Sequence, residues 1–169
     1  MTEVRAAVPA DAHEVAGLHA RSWRVAYRGL IAQDYLDSLT AEALASRYTF
    51  GRVGSRMPFT LVAVDGPAIR GFATTGLYRD SDLPNFGELM ALYVDPAHVA
   101  TGVGRLLMTA ARARLRSVGV RGAMLWVLDA NTRARRFYER DGWETDGACR
   151  PTTFGGQTLR LVRYRLRPV

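Results

Sequence analysis

The stretch LMALYVDPAHVATGVGRLL, residues 89–107, decides how the rest of the chain is read. An apolar run stops at Asp95-Pro96, a pair that breaks regular structure, and a Gly-x-Gly follows at Gly102 and Gly104. From Val103 to Val118 the pattern is helical: Leu107, Ala111, Leu115 and Val118 share one stripe, and Arg105, Arg112 and Arg116 another. A glycine loop between a strand and a helix turns backbone N–H groups and the positive end of the helix dipole toward an anion. Two phosphate loops are excluded at once. A Walker loop needs lysine, and the chain has none. A dinucleotide fingerprint needs Gly or Ala where Leu107 stands, and normally occupies the first βαβ unit of a chain rather than its second half.

Upstream, TEVRAAV alternates like a strand, and residues 9–29 read as a helix with Asp11 as N-cap and Gly29 as its end. A short helix near DYLDSL and another from Thr40 to about Phe50 follow. PFTLVAVDG and AIRGFATTGLYRD flank the turn Asp65-Gly66-Pro67 as a hairpin, and FGELMALYV is the next strand. Downstream, RGAMLWVLDA is apolar nearly throughout, as in a strand buried on both faces, with Trp126 expected in the core. Asn131 to Arg140 is a short helix closed by Asp141-Gly142, and the chain ends in a hairpin around Gly155-Gly156. The order is strand, helices, three strands, helix, strand, helix, two strands. That implies a mixed sheet with helices on both faces rather than a doubly wound fold.

With 169 residues, 48% hydrophobic and 23% charged, the chain reads as a single domain over 1–169. One cysteine, Cys149, permits no internal disulfide and is read as a passive thiol. No signal pattern opens the sequence and no apolar run reaches the length of a membrane span, so a soluble, cytoplasmic protein without membrane partners is expected. The net charge of +7 comes with 23 basic residues, all arginine. Because they are dispersed, an anionic cofactor or acidic partner is a better expectation than nucleic acid. His13, His19 and His98 show no metal-ligand spacing, so no metal is expected.

The strand ending in Val-Asp-Pro, the Gly-x-Gly-Arg loop and the striped helix resemble the acetyl-CoA loop of the GNAT acyltransferase superfamily. LWVLDANTRARRFYERDGW, residues 125–143, resembles that family's second signature, and RSWRVAYRGLI, residues 21–31, is similar to its first helix. The resemblance covers most of the chain. It implies an α/β (α+β) GNAT fold: a mixed, mostly antiparallel sheet of about seven strands flanked by helices, with splayed central strands. It also implies an N-acetyltransferase that uses acetyl-CoA as acyl-donor cosubstrate for direct attack by an amine of a small molecule, peptide or protein. Homodimers are common in the family. Cofactor contacts then fall on Leu92, Tyr93 and Val94, on Val99, Ala100, Thr101, Gly102, Val103, Gly104 and Arg105, and on Asn131 and Tyr138. Arg135, from the Arg133-Arg135-Arg136 cluster, is assigned to the 3′-phosphate.

The family loop begins with Gln or Arg where this chain has Val99; backbone donors, the Thr101 hydroxyl and the Arg105 guanidinium offset that departure in part. By resemblance the Leu92 N–H polarises the thioester carbonyl. Glu88 is the candidate base, with contact to the substrate amine as its alternative role, and is expected on the same face as Leu92 because the two are four residues apart on one strand. Tyr138 is the acid, seven residues and thus two turns after Asn131. Trp23 and Tyr27, four apart on the first helix, fit either the core or an acceptor cleft, and Tyr78 is a further acceptor contact. Two other classes stay open at this point: an acyl-CoA-binding module without turnover, and a basic nucleic-acid-binding domain.

Overall fold

The structure, a computed structural model, describes residues 1–169 apart from 53 and 55. In chain order its elements are β1 (Thr2–Ala6), α1 (Ala12–Ala26), α2 (Gln33–Ser38), α3 (Ala41–Ala45), β2 (Phe59–Asp65), β3 (Ala68–Leu77), β4 (Phe86–Val94), α4 (Val103–Ser117), β5 (Gly122–Leu128), α5 (Thr132–Arg140), β6 (Glu144–Phe154) and β7 (Gln157–Leu166). The strands form one seven-stranded sheet in the order β1-β2-β3-β4-β5-β7-β6. Every neighbouring pair is antiparallel except β4 and β5, which run parallel. Among the described residues no helix is long and apolar enough to cross a membrane.

The apolar stripe of α4 and a matching one on α1 explain the layers. Leu107, Met108, Ala111 and Leu115 of α4 are buried against Ala73, Leu89 and Leu125 on one face. Val15 and Leu18 of α1 pack on Val62 and Phe72 of the other face. On that second face Leu36 of α2 and Leu44 of α3 close a further cluster with Tyr27 and Leu128. Burial of each such Leu, Val, Met or Phe side chain contributes about 1.5–3 kcal/mol relative to exposure.

The parallel pairing at the centre is short. Phe86, Gly87 and Glu88 pair with Gly122, Ala123 and Met124, and no further. Beyond Glu88, β4 continues to Val94 alongside β3, while β5 continues to Leu128 alongside β7. The central strands therefore splay, as expected. Gly122 permits the tight end of this wedge, since a Cβ there would sit 2.8 Å from the Phe86 ring and 2.9 Å from the Leu166 carbonyl oxygen.

Three local readings need correction. Asp11 does not cap α1 with its side chain; it ends a short 3-10 turn over residues 9–11, and its carboxylate accepts from the Val8 N–H at 2.9 Å and from Arg5 at 2.7 Å. The helix expected from Thr40 to about Phe50 spans only Ala41–Ala45, with Thr40 Oγ1 accepting from the Ala43 N–H at 3.1 Å. Aromatic packing ends it early: the Tyr48 hydroxyl meets His19 Nδ1 at 2.6 Å, and its ring packs on Phe50 and Phe72. Trp126 is only half-buried, on the α1 face of β5, with the guanidinium of Arg150 4.4 Å from its ring centroid.

Burial, reinforced by the nearby Arg47 charge, lowers His19 from its ordinary value of 6.5 to about 4. Between those values the unfolded chain binds a proton that the folded chain refuses, so stability is lost as pH falls from 6.5 toward about 4. Chemical denaturation across that window is expected to show the loss in the native protein and a flatter profile in His19→Gln. Equal slopes would assign the acid sensitivity elsewhere.

Candidate active site

The splay leaves one edge of β4 without a partner strand. In an antiparallel ladder successive residues turn their polar groups to opposite edges. Asp95 N–H donates to the Arg70 carbonyl of the β3 side at 2.8 Å, so Tyr93 and Ala91 also face β3, and Leu92 and Val94 face the opening. The Val94 carbonyl accepts from Ser22 Oγ of α1 at 3.2 Å, which leaves its N–H directed into the gap. Tyr93, expected among the cofactor contacts, faces elsewhere: its backbone belongs to the β3 ladder and its ring stacks on His19 at 5.8 Å.

The register shifts between Thr74 and Thr75, with Ala91 opposite Thr74 and Leu89 opposite Thr75. Met90 is thus an extra residue, a bulge. One added residue inverts the alternation, so Glu88 and Leu92 lie on opposite faces, and the same-face expectation is overturned. Leu92 joins the α4 core. Glu88 shares the α1 face with its partner Gly76 and lines an open cleft of about 250 Å³ with Tyr78, Met90 and Arg150. Burial raises the Glu88 carboxyl above its ordinary range; Arg150 opposes the rise and Asp80 adds to it. A second cavity of about 430 Å³, lined by Tyr48, Phe50, Phe59 and Thr74, adjoins the first at Pro58 and Met90.

At the other end of β4 the Asp95-Pro96 turn is fastened to α1 by the Arg21–Asp95 ion pair at 2.7 Å, and Asp95 also accepts from the Ala97 N–H. Val99 is extended, Ala100 has φ 65°, and Gly102 has φ 94° at the N-cap of α4. The Thr101 hydroxyl donates to the His98 carbonyl, folding the loop on itself. No side chain caps α4, and its first backbone bond runs from Leu106 N–H to the Gly102 carbonyl. The N–H groups of Gly102, Val103, Gly104 and Arg105 thus have no intrahelical acceptor and face out at the positive end of a 15-residue helix. A Cβ on Gly104 would lie 3.4 Å from Phe137 and 3.6 Å from Val94, so this loop packs directly on α5 and the end of β4.

Across the gap, Asn131 caps α5 by accepting from the Ala134 N–H at 3.2 Å, and its side-chain amide also meets the Tyr27 hydroxyl. Tyr138 is half-buried among Phe137, Trp143 and Tyr164. Burial, with Tyr27 close by, holds its phenol far above the ordinary tyrosine range. The charge of Tyr138 bears on Tyr93, and that of Tyr27 on Tyr138, although α5 and α1 cover opposite faces of the sheet.

Arg135 is spent inside the fold. Its guanidinium donates to the Asp129 carboxylate at 2.6 Å, the Asp129 carbonyl at 2.9 Å and the Tyr164 hydroxyl at 3.0 Å. It braces α5 against β7, and a phosphate contact would require breaking that set. Trp23 and Tyr27 belong to an aromatic cluster with His19, Tyr93 and Phe154, and neither lines the cleft that holds Glu88. Tyr78 does line it, with its hydroxyl donating to Asp80 at 2.9 Å. Sequence reading missed buried Arg163, which ties Asp82 and Asp146 together and so pins the segment after β3 to the closing hairpin. It also missed Arg56, Arg79 and Arg150 at the cleft. No spacing rule connects these residues; only the packed hairpin brings them together.

Residues 21–143 match the family described as Acetyltransferase (GNAT) family. The chain is 30% identical over 132 residues to the N-acetyltransferase YuaI of Bacillus subtilis, covering 78% of this chain and 74% of YuaI. It is 32% identical over 139 residues to the mycothiol acetyltransferase of Rhodococcus erythropolis, covering 80% of this chain but only 44% of that longer protein. Among solved structures, the PaiA N-acetyltransferase of Thermoplasma acidophilum, in complex with coenzyme A, superposes with a TM-score of 0.75 at 19% identity, covering 99% of each chain. YncA of Salmonella typhimurium, with acetyl-CoA, gives 0.69 at 21% identity, covering 98% of this chain and 93% of that one.

Proposed function

The chain belongs to the GNAT acetyltransferase family, and we propose that it moves an acetyl group from acetyl-CoA to the amine of a small molecule or peptide by direct attack within a ternary complex. One observation carries this reading: the open edge of β4 at Leu92 and Val94 leads to the uncapped N-terminus of α4. A thioester on a long polar arm ending in a pyrophosphate fits that arrangement. The arm finds β-type backbone donors along the splay, and the pyrophosphate finds four N–H groups at a helix start. Val99 forfeits only a side chain, since the donors are main-chain.

Acetyl-CoA supplies an acetyl group already activated as a thioester. Gly102, Val103, Gly104 and Arg105 hold its pyrophosphate, while Val94 N–H and the Asn131 amide hold the arm. Leu92 N–H donates to the carbonyl oxygen as negative charge grows there, a contribution of about 10²–10³ in rate for one preorganised donor. Glu88, working through a water because it lies on the α1 face, takes a proton from the acceptor ammonium. Its raised carboxyl shortens the gap to an amine's own range. Tyr138 gives a proton to the departing sulfur. Its phenol is a weaker acid than free tyrosine, but the same burial also disfavours the thiolate, so donor and acceptor rise together.

The test is incubation with acetyl-CoA and panels of amines, following free thiol and the mass of the products. Thiol release matched one-for-one by an acetylated amine supports transfer. Tight CoA binding with no acetylated product from any amine would make the chain a CoA-binding module instead.

A further inference from the structure

The cleft around Glu88 is lined by charges of both signs, with Glu88 and Asp80 as its carboxylates. Arg56, Arg79 and Arg150 line the same 250 Å³ space, and none of the three has a carboxylate within ion-pair distance among the described residues. By contrast buried Arg163, which meets the Tyr78 hydroxyl at 3.4 Å, is already committed to Asp82 and Asp146. Arg150 stands over the Trp126 ring at 4.4 Å, which steadies its guanidinium without neutralising it. Arg79 follows Tyr78, whose hydroxyl is tethered to Asp80. Three exposed guanidinium groups lining a small cleft that also holds the proposed base can together receive an oxyanion.

We propose that the acceptor is a small primary amine that also bears a carboxylate or phosphonate. Its ammonium faces Glu88 and its anion is held by Arg79 and Arg150, with Arg56 across the mouth. This deepens the acetyl-transfer reading and rests on it for the role of Glu88. The volume, about eight times a water's share of the liquid, admits an amino acid-sized molecule. A polyamine would set its second ammonium against three unpaired arginines.

Binding is measured first without CoA, by saturation-transfer NMR on the full chain. Pairs of amines differ only in the anion: each amino acid or aminophosphonate against its amide or neutral ester, with spermidine as polycation. The acid member of a pair is expected to bind at least about 10-fold more tightly than its neutral partner, and the double variant Arg79→Gln/Arg150→Gln is expected to bring that ratio close to one. Equal or tighter binding of the neutral amines or of spermidine overturns the assignment, as does a ratio unchanged in the double variant. Acetylation with acetyl-CoA is then measured separately. An acid that binds selectively but is never acetylated contradicts the transfer reading and leaves the cleft a binding site for an anionic amine rather than an acceptor site.

Discussion

Tyr138→Phe is expected to lower kcat by about 10²- to 10⁴-fold, the range for a lost general acid, while CoA affinity changes little. The substitution removes one oxygen and leaves the ring in its packing against Phe137, Trp143 and Tyr164. The fold should therefore survive, and a melting curve within a few degrees of the parent is the control. The phenol stays protonated across the working range because burial holds it far above its ordinary value. Loss of activity should then be uniform in pH rather than confined to an alkaline limb. Single-turnover and steady-state assays with one verified acceptor decide the matter. Wild-type turnover in the variant would remove Tyr138 from the chemistry and leave it a core residue.

The second large effect is expected at Glu88. The base acts in its ionised form, so kcat/KM should rise as pH climbs through the carboxyl's pKa. Burial has moved that limb above the ordinary carboxylate range. Glu88→Gln keeps the shape and the hydrogen-bonding capacity but cannot take a proton. A loss of about 10²-fold or more is expected, with the acidic limb gone and only the acceptor's own titration left. Glu88→Asp, shorter by one methylene, should retain the limb at reduced rate if a water spans the distance. A Glu88→Gln profile that kept its limb would place the base elsewhere and reduce Glu88 to an electrostatic contact for the ammonium.

The legible parts of this site were those encoded by local chemistry. Asp95-Pro96 ends a strand whatever surrounds it, Gly102 is needed where φ is 94°, and Asn131 caps a helix by a bond three residues long. These fix the strand–loop–helix unit and the second signature. The bulge was not legible. Met90 is an ordinary apolar residue in an apolar run, and the extra residue shows only against the β3 register; with it, the face of Glu88 inverted. Arg135 was misplaced for a related reason. Three arginines on one short helix look equivalent in sequence, and only the position of Asp129 and Tyr164 distinguishes the one that is spent. The cleft arginines come from three separate segments, and sequence spacing carries no trace of that meeting.

As proposed, the open edge of β4 and the uncapped start of α4 form one site for a CoA thioester. Calorimetric titration of the full chain with CoA and with acetyl-CoA tests it most directly, with Gly102→Val run alongside to strain the loop at its positive φ. Saturable binding of about one CoA per chain is expected, weakened at least about 10-fold in the variant. No heat of binding to the native protein, or equal affinity in Gly102→Val, would contradict it.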